Sequence, residues 1–176
     1  NPLYTVRELE HQLNDSETSA IFILANFADT LEKALPHTKV KHIVVTQVGD
    51  MVGGFKKHLV NFVVKHIKKM VPSYSLPNPI KFEALLAANE KDYIKPEVCL
   101  SDIAFLQYTG GTTGVAKGAV LTHRNIVANI EQAHSWLSIV VKPGEEVIIT
   151  ALPLYHIFSL TANCMVFCNS CLSLLK

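Results

Sequence analysis

The sequence has few cysteines, little net charge and no basic segment followed by an apolar one at its start. Of its 176 residues four are cysteine, the formal net charge is +1, and 49% are hydrophobic, which argues against a disordered chain. The small net charge argues against nucleic acid as a partner. Without an export signal, four cysteines do not indicate a disulfide framework. We therefore expect one compact unit, or two small subdomains sharing an interface, in a reducing, cytoplasmic setting.

Acidic and basic residues are also missing from residues 147–175. A stretch of this length could span a membrane, but Pro153 and several polar side chains would be costly in lipid. We therefore expect it to be buried within a larger protein. Cys164, Cys168 and Cys171 recur in it at helical spacing. We interpret them as small buried hydrophobic residues rather than as metal ligands, because no convincing fourth ligand accompanies them.

Hydrophobic spacing in the first half predicts alternating helices and strands. Thr5 and Glu8 form a capping-box pattern before the first helix. Residues 20–24 are typical of a fully buried strand, and a second strand is predicted at 42–46. Asn26 is in position to cap a helix between them. This alternation implies parallel pairing of the two strands.

The second half continues the alternation after a short helix predicted at 82–89. A strand is predicted at 103–108, a second at 119–121, and a third at 146–152. Thr122 is in position to cap a helix before the third strand, which leads into the cysteine-bearing helix.

Breaker residues in the segment 71–79 suggest a connection between two portions of the chain. The first portion, residues 1–79, would be part of one α/β subdomain. The second, residues 80–176, would carry the glycine-rich segment described below.

Residues Phe55–Met70 predict a basic amphipathic helix with an apolar stripe. Its lysines are Lys56, Lys57, Lys65, Lys68 and Lys69. One interpretation is a peripheral contact with an anionic membrane surface, on the inner face of the membrane, into which the stripe would insert shallowly. The other is that the helix packs its stripe on the domain and exposes only its lysines.

The most specific pattern is the glycine-rich segment at residues 108–118, Tyr-Thr-Gly-Gly-Thr-Thr-Gly-Val-Ala-Lys-Gly. Its glycines let backbone amides converge on an anion, its threonine hydroxyls add donors, and its lysine supplies positive charge. A P-loop has glycine before its lysine and a hydroxyl after it, whereas Ala116 precedes Lys117 here and Gly118 follows. The pattern therefore predicts a phosphate-binding segment between two strands rather than a Walker fold or a chance glycine-rich linker.

Residues 109–118 resemble the phosphate-binding signature of the adenylate-forming, or AMP-binding, superfamily, [ST]-[SG]-G-[ST]-T-G-x-P-K-G, with Ala116 in place of proline. Residues 40–50, 121–125 and 150–158 extend the resemblance to bacterial long-chain fatty acid–CoA ligases. The resemblance implies an α/β fold, a mostly parallel sheet flanked by helices, as a fragment of the superfamily's large N-terminal domain with a glycine-rich hairpin loop. It implies that a fatty acid and ATP give an acyl-adenylate and pyrophosphate, and that coenzyme A then takes the acyl group as a thioester.

The resemblance also implies roles for particular residues. The β- and γ-phosphates would be held by Thr109, Gly110, Gly111, Thr112, Thr113, Gly114 and Lys117. Lys117 and Thr112 would stabilise charge on the departing pyrophosphate, and His156 would lie near the acyl carboxylate, so these three are the candidate catalytic residues. Mg²⁺ would arrive on ATP rather than at a protein metal site. An ordinary hydrogen-bonded core histidine remains the alternative for His156.

Later elements of the superfamily have no counterpart in the sequence: an aromatic-Gly-x-Thr-Glu element, a ribose-binding aspartate, a hinge and a mobile C-terminal domain with a catalytic lysine. We therefore expect the chain to be a fragment of a longer enzyme and to be inactive alone. Two other functions stay open. One is a non-catalytic membrane-docking module with a flexible glycine hairpin, and the other is a different nucleotide-binding enzyme, such as a kinase, that would produce ADP.

Overall fold

The computed structural model describes residues 1–87, 93–109, 115–168 and, as a strand, 172–175. It has an α/β fold, and its backbone contacts divide into two compact units, Asn1–Lys95 and Pro96–Lys176. Three of the four strand pairs among these residues are parallel, which confirms the prediction of mostly parallel pairing flanked by helices. The division into one portion at residues 1–79 and a second at 80–176 remains a prediction about the subdomains of the larger protein.

The first unit contains a three-stranded parallel sheet in the order β1-β2-β3. Its elements are α1 (Val6–Asp15), β1 (Ala20–Leu24), α2 (Ala28–Ala34), β2 (His42–Thr46), α3 (Gly54–Phe62), β3 (Ile80–Lys81) and α4 (Phe82–Leu86). Ala20 lies opposite His42, and Val44 lies opposite Ile80. The predicted bounds of the first two strands and their parallel pairing are confirmed.

The capping box at the start of α1 is confirmed. The Glu8 N–H donates to the Thr5 hydroxyl (3.4 Å), and the Glu8 carboxylate accepts from the Thr5 N–H (2.8 Å) and hydroxyl (2.7 Å). These hydrogen bonds favour the ionised carboxylate, so they lower the pKa of Glu8. The helix therefore begins with its free backbone donors partly satisfied.

Leu13, Leu31 and Ile43 form the buried core of the first unit, between helices α1 and α2 and the sheet. Partly buried residues pack around them: Leu9, Ile21, Ile23, Leu35, Val40, Val45 and Leu76. The prediction of a fully buried β1 is wrong for this chain, because Phe22 is 59% exposed. β1 is an edge strand, and the ring of Phe22 makes an edge-to-face contact with that of Phe82, at 6.2 Å between ring centroids.

The predicted cap by Asn26 is also wrong. A 3₁₀ turn at Ala25–Phe27 precedes α2, and Phe27 occupies the N-cap position without a side-chain hydrogen bond. The Asn26 side-chain amide donates instead to the carbonyl of Met70 (3.0 Å). The side chain that a local pattern assigned to the helix is thus hydrogen-bonded to a residue 44 positions away in the sequence.

The predicted basic helix is shorter and less regular than its sequence pattern suggests. The α-helical part ends at Phe62, and Val63–Ile67 form a π-helical turn in which the Lys68 N–H donates to the Val63 carbonyl (2.8 Å). Lys57 is ion-paired with Glu83. The other four lysines are exposed together with most of the apolar stripe, including Phe55, Leu59, Phe62, Ile67 and Met70.

The second unit consists of β4 (Ile103–Thr109), β5 (Lys117–Thr122), α5 (His123–Leu137), β6 (Val147–Thr150), α6 (Ile157–Cys168) and β7 (Leu172–Leu175). β4 and β5 are antiparallel, and β6 and β7 are parallel. The predicted cap by Thr122 is confirmed: its hydroxyl accepts from the Asn125 N–H (3.3 Å), and Asn125 completes a capping box. Helices α5 and α6 pack against each other.

The uncharged stretch forms β6, α6 and β7 rather than one long helix. Among the residues that the structure describes, none of the helices combines the length and apolarity needed to cross a membrane. Cys164 is half-buried. Its burial, and to a smaller extent the nearby Cys168, raise the pKa of its thiol. Cys168 is exposed, so the prediction of a buried cysteine is wrong there, and Cys171 lies outside the described residues.

Candidate functional site

The antiparallel pair β4–β5 brings together the two ends of the glycine-rich segment. Thr109, the last residue of β4, lies opposite Lys117, the first residue of β5, and both are exposed. Five of the predicted phosphate-binding residues lie outside the described residues: Gly110, Gly111, Thr112, Thr113 and Gly114. Their roles stay predictions, while Thr109 and Lys117 occupy neighbouring positions at the open end of the pair.

Tyr108 and Gly118 form the next pair inward from this end. A Cβ atom on Gly118 would lie 3.0 Å from two ring carbons of Tyr108, which is tighter than nine in ten real Cβ contacts. Glycine is therefore the residue type that lets the Tyr108 ring lie over the backbone of β5. This close approach fixes a bulky ring one residue before the segment expected to bind phosphate.

The turn that carries His156 is held to its own helix by short hydrogen bonds. The hydroxyl of Ser159, which is 1% exposed, donates to the Leu152 carbonyl (2.7 Å), and the His156 N–H donates to the Pro153 carbonyl (2.9 Å). The side chain of His156 is exposed. In this chain His156 is therefore not buried as a core histidine would be, and its side chain is accessible to a ligand.

Gln107 joins this turn to β4. Its side-chain amide donates to the carbonyl of Tyr155 (2.8 Å) and, more weakly, to that of Tyr108 (3.4 Å). The pair of strands and the turn with His156 are thus in direct contact within the second unit. Sequence reasoning missed Gln107, because nothing in the local pattern of β4 marks a side chain whose partner lies 48 residues away.

Chemically, this arrangement offers a primary ammonium, a hydroxyl and an imidazole on accessible segments of one unit. Lys117 can attract an anion, Thr109 can donate a hydrogen bond to it, and His156 can hydrogen-bond through either ring nitrogen. Across the described parts of the chain, no three His, Cys, Asp or Glu side chains are grouped so that they could hold a metal ion. The site therefore has the character of an anion-binding surface.

The family model described as "AMP-binding enzyme" matches residues 1–174. A long-chain-fatty-acid–CoA ligase of Escherichia coli O157:H7 is 58% identical over 168 residues, which cover 95% of this chain and 30% of that relative.

Solved structures match over nearly the whole chain. A long-chain-fatty-acid–CoA ligase from Archaeoglobus fulgidus has a TM-score of 0.64 and 26% identity, with 99% of this chain and 29% of that one covered. ATP-bound MatB from Rhodopseudomonas palustris has a TM-score of 0.68 and 21% identity, with coverages of 100% and 29%, and shows likeness of fold alone. The chain thus spans about 30% of the length of the curated relative it matches.

Proposed function

The chain belongs to the family of AMP-binding enzymes, and on that premise we propose that it is part of an ATP-dependent long-chain fatty acid–CoA ligase. The identity of 58% to a ligase of that name supports the proposal. The observation that carries it is the placement of Thr109 opposite Lys117, at the two ends of a segment whose residues match the phosphate-binding signature.

In this function, the fatty carboxylate attacks the α-phosphate of ATP, an acyl-adenylate forms, and pyrophosphate leaves. Negative charge grows on the pyrophosphate as the bond breaks, so a fixed ammonium and several backbone amides beside it lower the barrier. Lys117, Thr112 and the glycines are proposed for this role. His156 would orient the carboxylate, and Mg²⁺ would enter on the phosphates of ATP. In the second step, the thiol of coenzyme A takes the acyl group and AMP leaves.

The decisive measurement is exchange of labelled pyrophosphate into ATP by the full-length protein, driven by fatty acids of several chain lengths. We expect exchange to depend on the fatty acid, and AMP rather than ADP to be the product. Absence of exchange with fatty acids of every chain length would contradict the ligase function, and ADP as the product would favour a kinase. The 176-residue chain alone should give no exchange, because it spans only about 30% of the relative.

The contribution of the phosphate-binding segment is tested by Lys117→Ala and Thr112→Val together. Loss of a preorganised donor at developing charge costs on the order of a hundredfold or more in rate, so the double variant should be nearly inactive. The matched control is Lys142→Ala, which removes a lysine of the same unit that is ion-paired with Glu145. Full acyl-adenylate production by the double variant would remove the physical basis of the proposal.

The surface of residues 55–70 favours a second role, peripheral docking on an anionic membrane from the cytoplasmic side. Phe55 is 81% exposed and Ile67 66% exposed, next to exposed Lys65, Lys68 and Lys69. Apolar side chains that insert shallowly beside lysines bind anionic lipid, with each lysine contributing on the order of 1 kcal/mol. This role could accompany the ligase activity or, in a non-catalytic module, replace it.

Vesicle sedimentation of the full-length protein tests the docking role. Changing Lys65, Lys68 and Lys69 to Glu should abolish binding to vesicles that contain anionic lipid, and salt should weaken binding of the unchanged protein. The matched control changes the exposed Lys33, Lys39 and Lys41 to Glu, which alters the net charge equally. Equal loss in both variants would indicate a net-charge effect, and absence of binding by the unchanged protein would exclude docking. Binding without pyrophosphate exchange would favour the non-catalytic module.

A further inference from the structure

Gln107 lies at the place where the two predicted halves of the site meet. Its side-chain amide contacts the carbonyls of Tyr155 and Tyr108, and each of these residues directly precedes a predicted site residue, His156 or Thr109. One side chain therefore contacts the backbone immediately before both segments.

The orientation of this amide follows from its partners. Both partners are carbonyl oxygens, which can only accept, so the NH₂ group must face them, and the reversed amide would place two oxygens against the carbonyls. The NH₂ group carries two N–H donors, which is enough for one hydrogen bond to each carbonyl. A side chain that could only accept, or that had no polar atom, would leave both contacts unmade.

We propose that Gln107 is a positioning residue, which holds the turn carrying His156 at a fixed distance from the strand carrying the phosphate-binding segment. This rests on the proposed function, in which the acyl carboxylate and the triphosphate of ATP must meet in line. The carboxylate is oriented from the turn and the phosphates from the end of β4. Misplacement by about 1 Å is enough to cost about a hundredfold in rate, so a single hydrogen bond between these segments has a large effect on the first step.

The test uses the full-length protein with Gln107→Met, which keeps the length of the side chain but removes its donors. Acyl-adenylate formation should fall about tenfold to a hundredfold, whereas thioester formation from supplied acyl-adenylate should fall much less. Gln107→Glu should lower the rate of acyl-adenylate formation more than Gln107→Met does, because the carboxylate of Glu repels the two carbonyl oxygens. The matched control is Gln132→Met, at an exposed position on α5, which should keep the rate of the unchanged protein.

A double variant separates positioning from a general structural role. If Gln107 acts through the turn with His156, adding Gln107→Met to His156→Ala should cause little further loss, because coupled residues are not additive. If the rate losses of Gln107→Met and His156→Ala multiply in the double variant, the two residues act independently and the proposal is overturned. Equal loss of rate in acyl-adenylate formation and in thioester formation by Gln107→Met would also overturn it, because such a loss indicates that less of the variant protein is folded.

Hydrogen exchange gives a readout that does not need activity. The backbone amides of residues 154–160 should exchange faster in Gln107→Met than in the unchanged protein, and Gln132→Met should leave them unaltered. Unaltered exchange in Gln107→Met would overturn the positioning role even if the enzyme is active. If the unchanged protein makes no acyl-adenylate, the proposed function fails, while the exchange measurement still decides whether Gln107 holds the turn.

Discussion

The ring of Tyr108 lies so close to the backbone of Gly118 across the β4–β5 pair that a methyl group at residue 118 would force the ring to shift. The contact lies one residue from Thr109 and one from Lys117, at the base of the segment expected to bind phosphate. Because a side chain at residue 118 would displace the ring, the contact links the packing of the strand pair to the position of that segment.

Gly118→Ala is expected to weaken the strand pair. The new Cβ would lie 3.0 Å from the ring of Tyr108, and overpacking of this kind costs about 1–3 kcal/mol. Hydrogen exchange in residues 103–122 should become faster, and pyrophosphate exchange by the full-length protein should fall. The double variant Gly118→Ala with Tyr108→Val should recover much of the protection, because the clashing ring is gone. If Gly118→Ala exchanges its amide hydrogens as slowly as the unchanged protein, the close contact between Tyr108 and Gly118 is contradicted.

Leu31→Ala is expected to destabilise the first unit. Leu31 is 0% exposed in the core between α1, α2 and the sheet, and removing a buried leucine side chain costs about 2–5 kcal/mol. The midpoint of urea unfolding, monitored at this unit, should fall. Leu3→Ala is the matched control, since Leu3 is 78% exposed and its loss should change stability by about 0.5 kcal/mol or less. Equal effects of the two changes would contradict the assigned core.

Asp50→Ala should loosen the loop that follows β2. The Asp50 carboxylate accepts from the Gln47 N–H (2.7 Å), the Asn61 side-chain amide (3.1 Å) and the Thr46 hydroxyl (3.2 Å). Leaving such donors unsatisfied costs about 1–3 kcal/mol. Hydrogen exchange at residues 47–62 should therefore accelerate. Asp50→Asn, which keeps one acceptor oxygen, should have a smaller effect, and no acceleration in Asp50→Ala would show that these bonds are not maintained in solution.

The capping box of α1 should weaken in acid. The pKa of Glu8 is lowered from 4.5 by its bonds to Thr5, so its contribution to stability is present above that value and is lost as the pH falls through the lowered pKa. Glu8→Gln keeps a capping-box residue without the titration. The difference in unfolding free energy between the two proteins should therefore shrink as the pH falls below about 4. A difference independent of pH would contradict the hydrogen bonds to the ionised carboxylate.

Local signals in the sequence predicted the parts of the fold that depend on neighbouring residues. The capping residues Thr5 and Thr122 act on amides three residues away, and the bounds of β1 and β2 follow from short runs of apolar residues. Such patterns need no knowledge of the rest of the chain. The prediction of a phosphate-binding segment depends on the same kind of signal, the fixed order and spacing of residues around Lys117.

Contacts between distant residues could not be predicted in this way. Asn26 carries a helix-capping signal, but it donates to the carbonyl of Met70, and Gln107 donates to that of Tyr155. Phe22 was expected to be buried because its neighbours are apolar, yet its side chain is on an exposed face of an edge strand. In each case the decisive atoms belong to a segment that the local pattern does not include.

The π-helical turn at Val63–Ile67 affects which face of the basic segment a lipid surface would meet. A wider turn accommodates an extra residue, so side chains after residue 63 are rotated away from the positions that a regular helical wheel assigns to them. Lys65, Lys68 and Lys69 are consequently displaced around the helix axis relative to Lys56, compared with their places on a regular α-helix. A synthetic peptide of this segment that folds as a regular α-helix in detergent would display a different charge arrangement from the protein. Its affinity for lipid would therefore not measure the affinity of the protein.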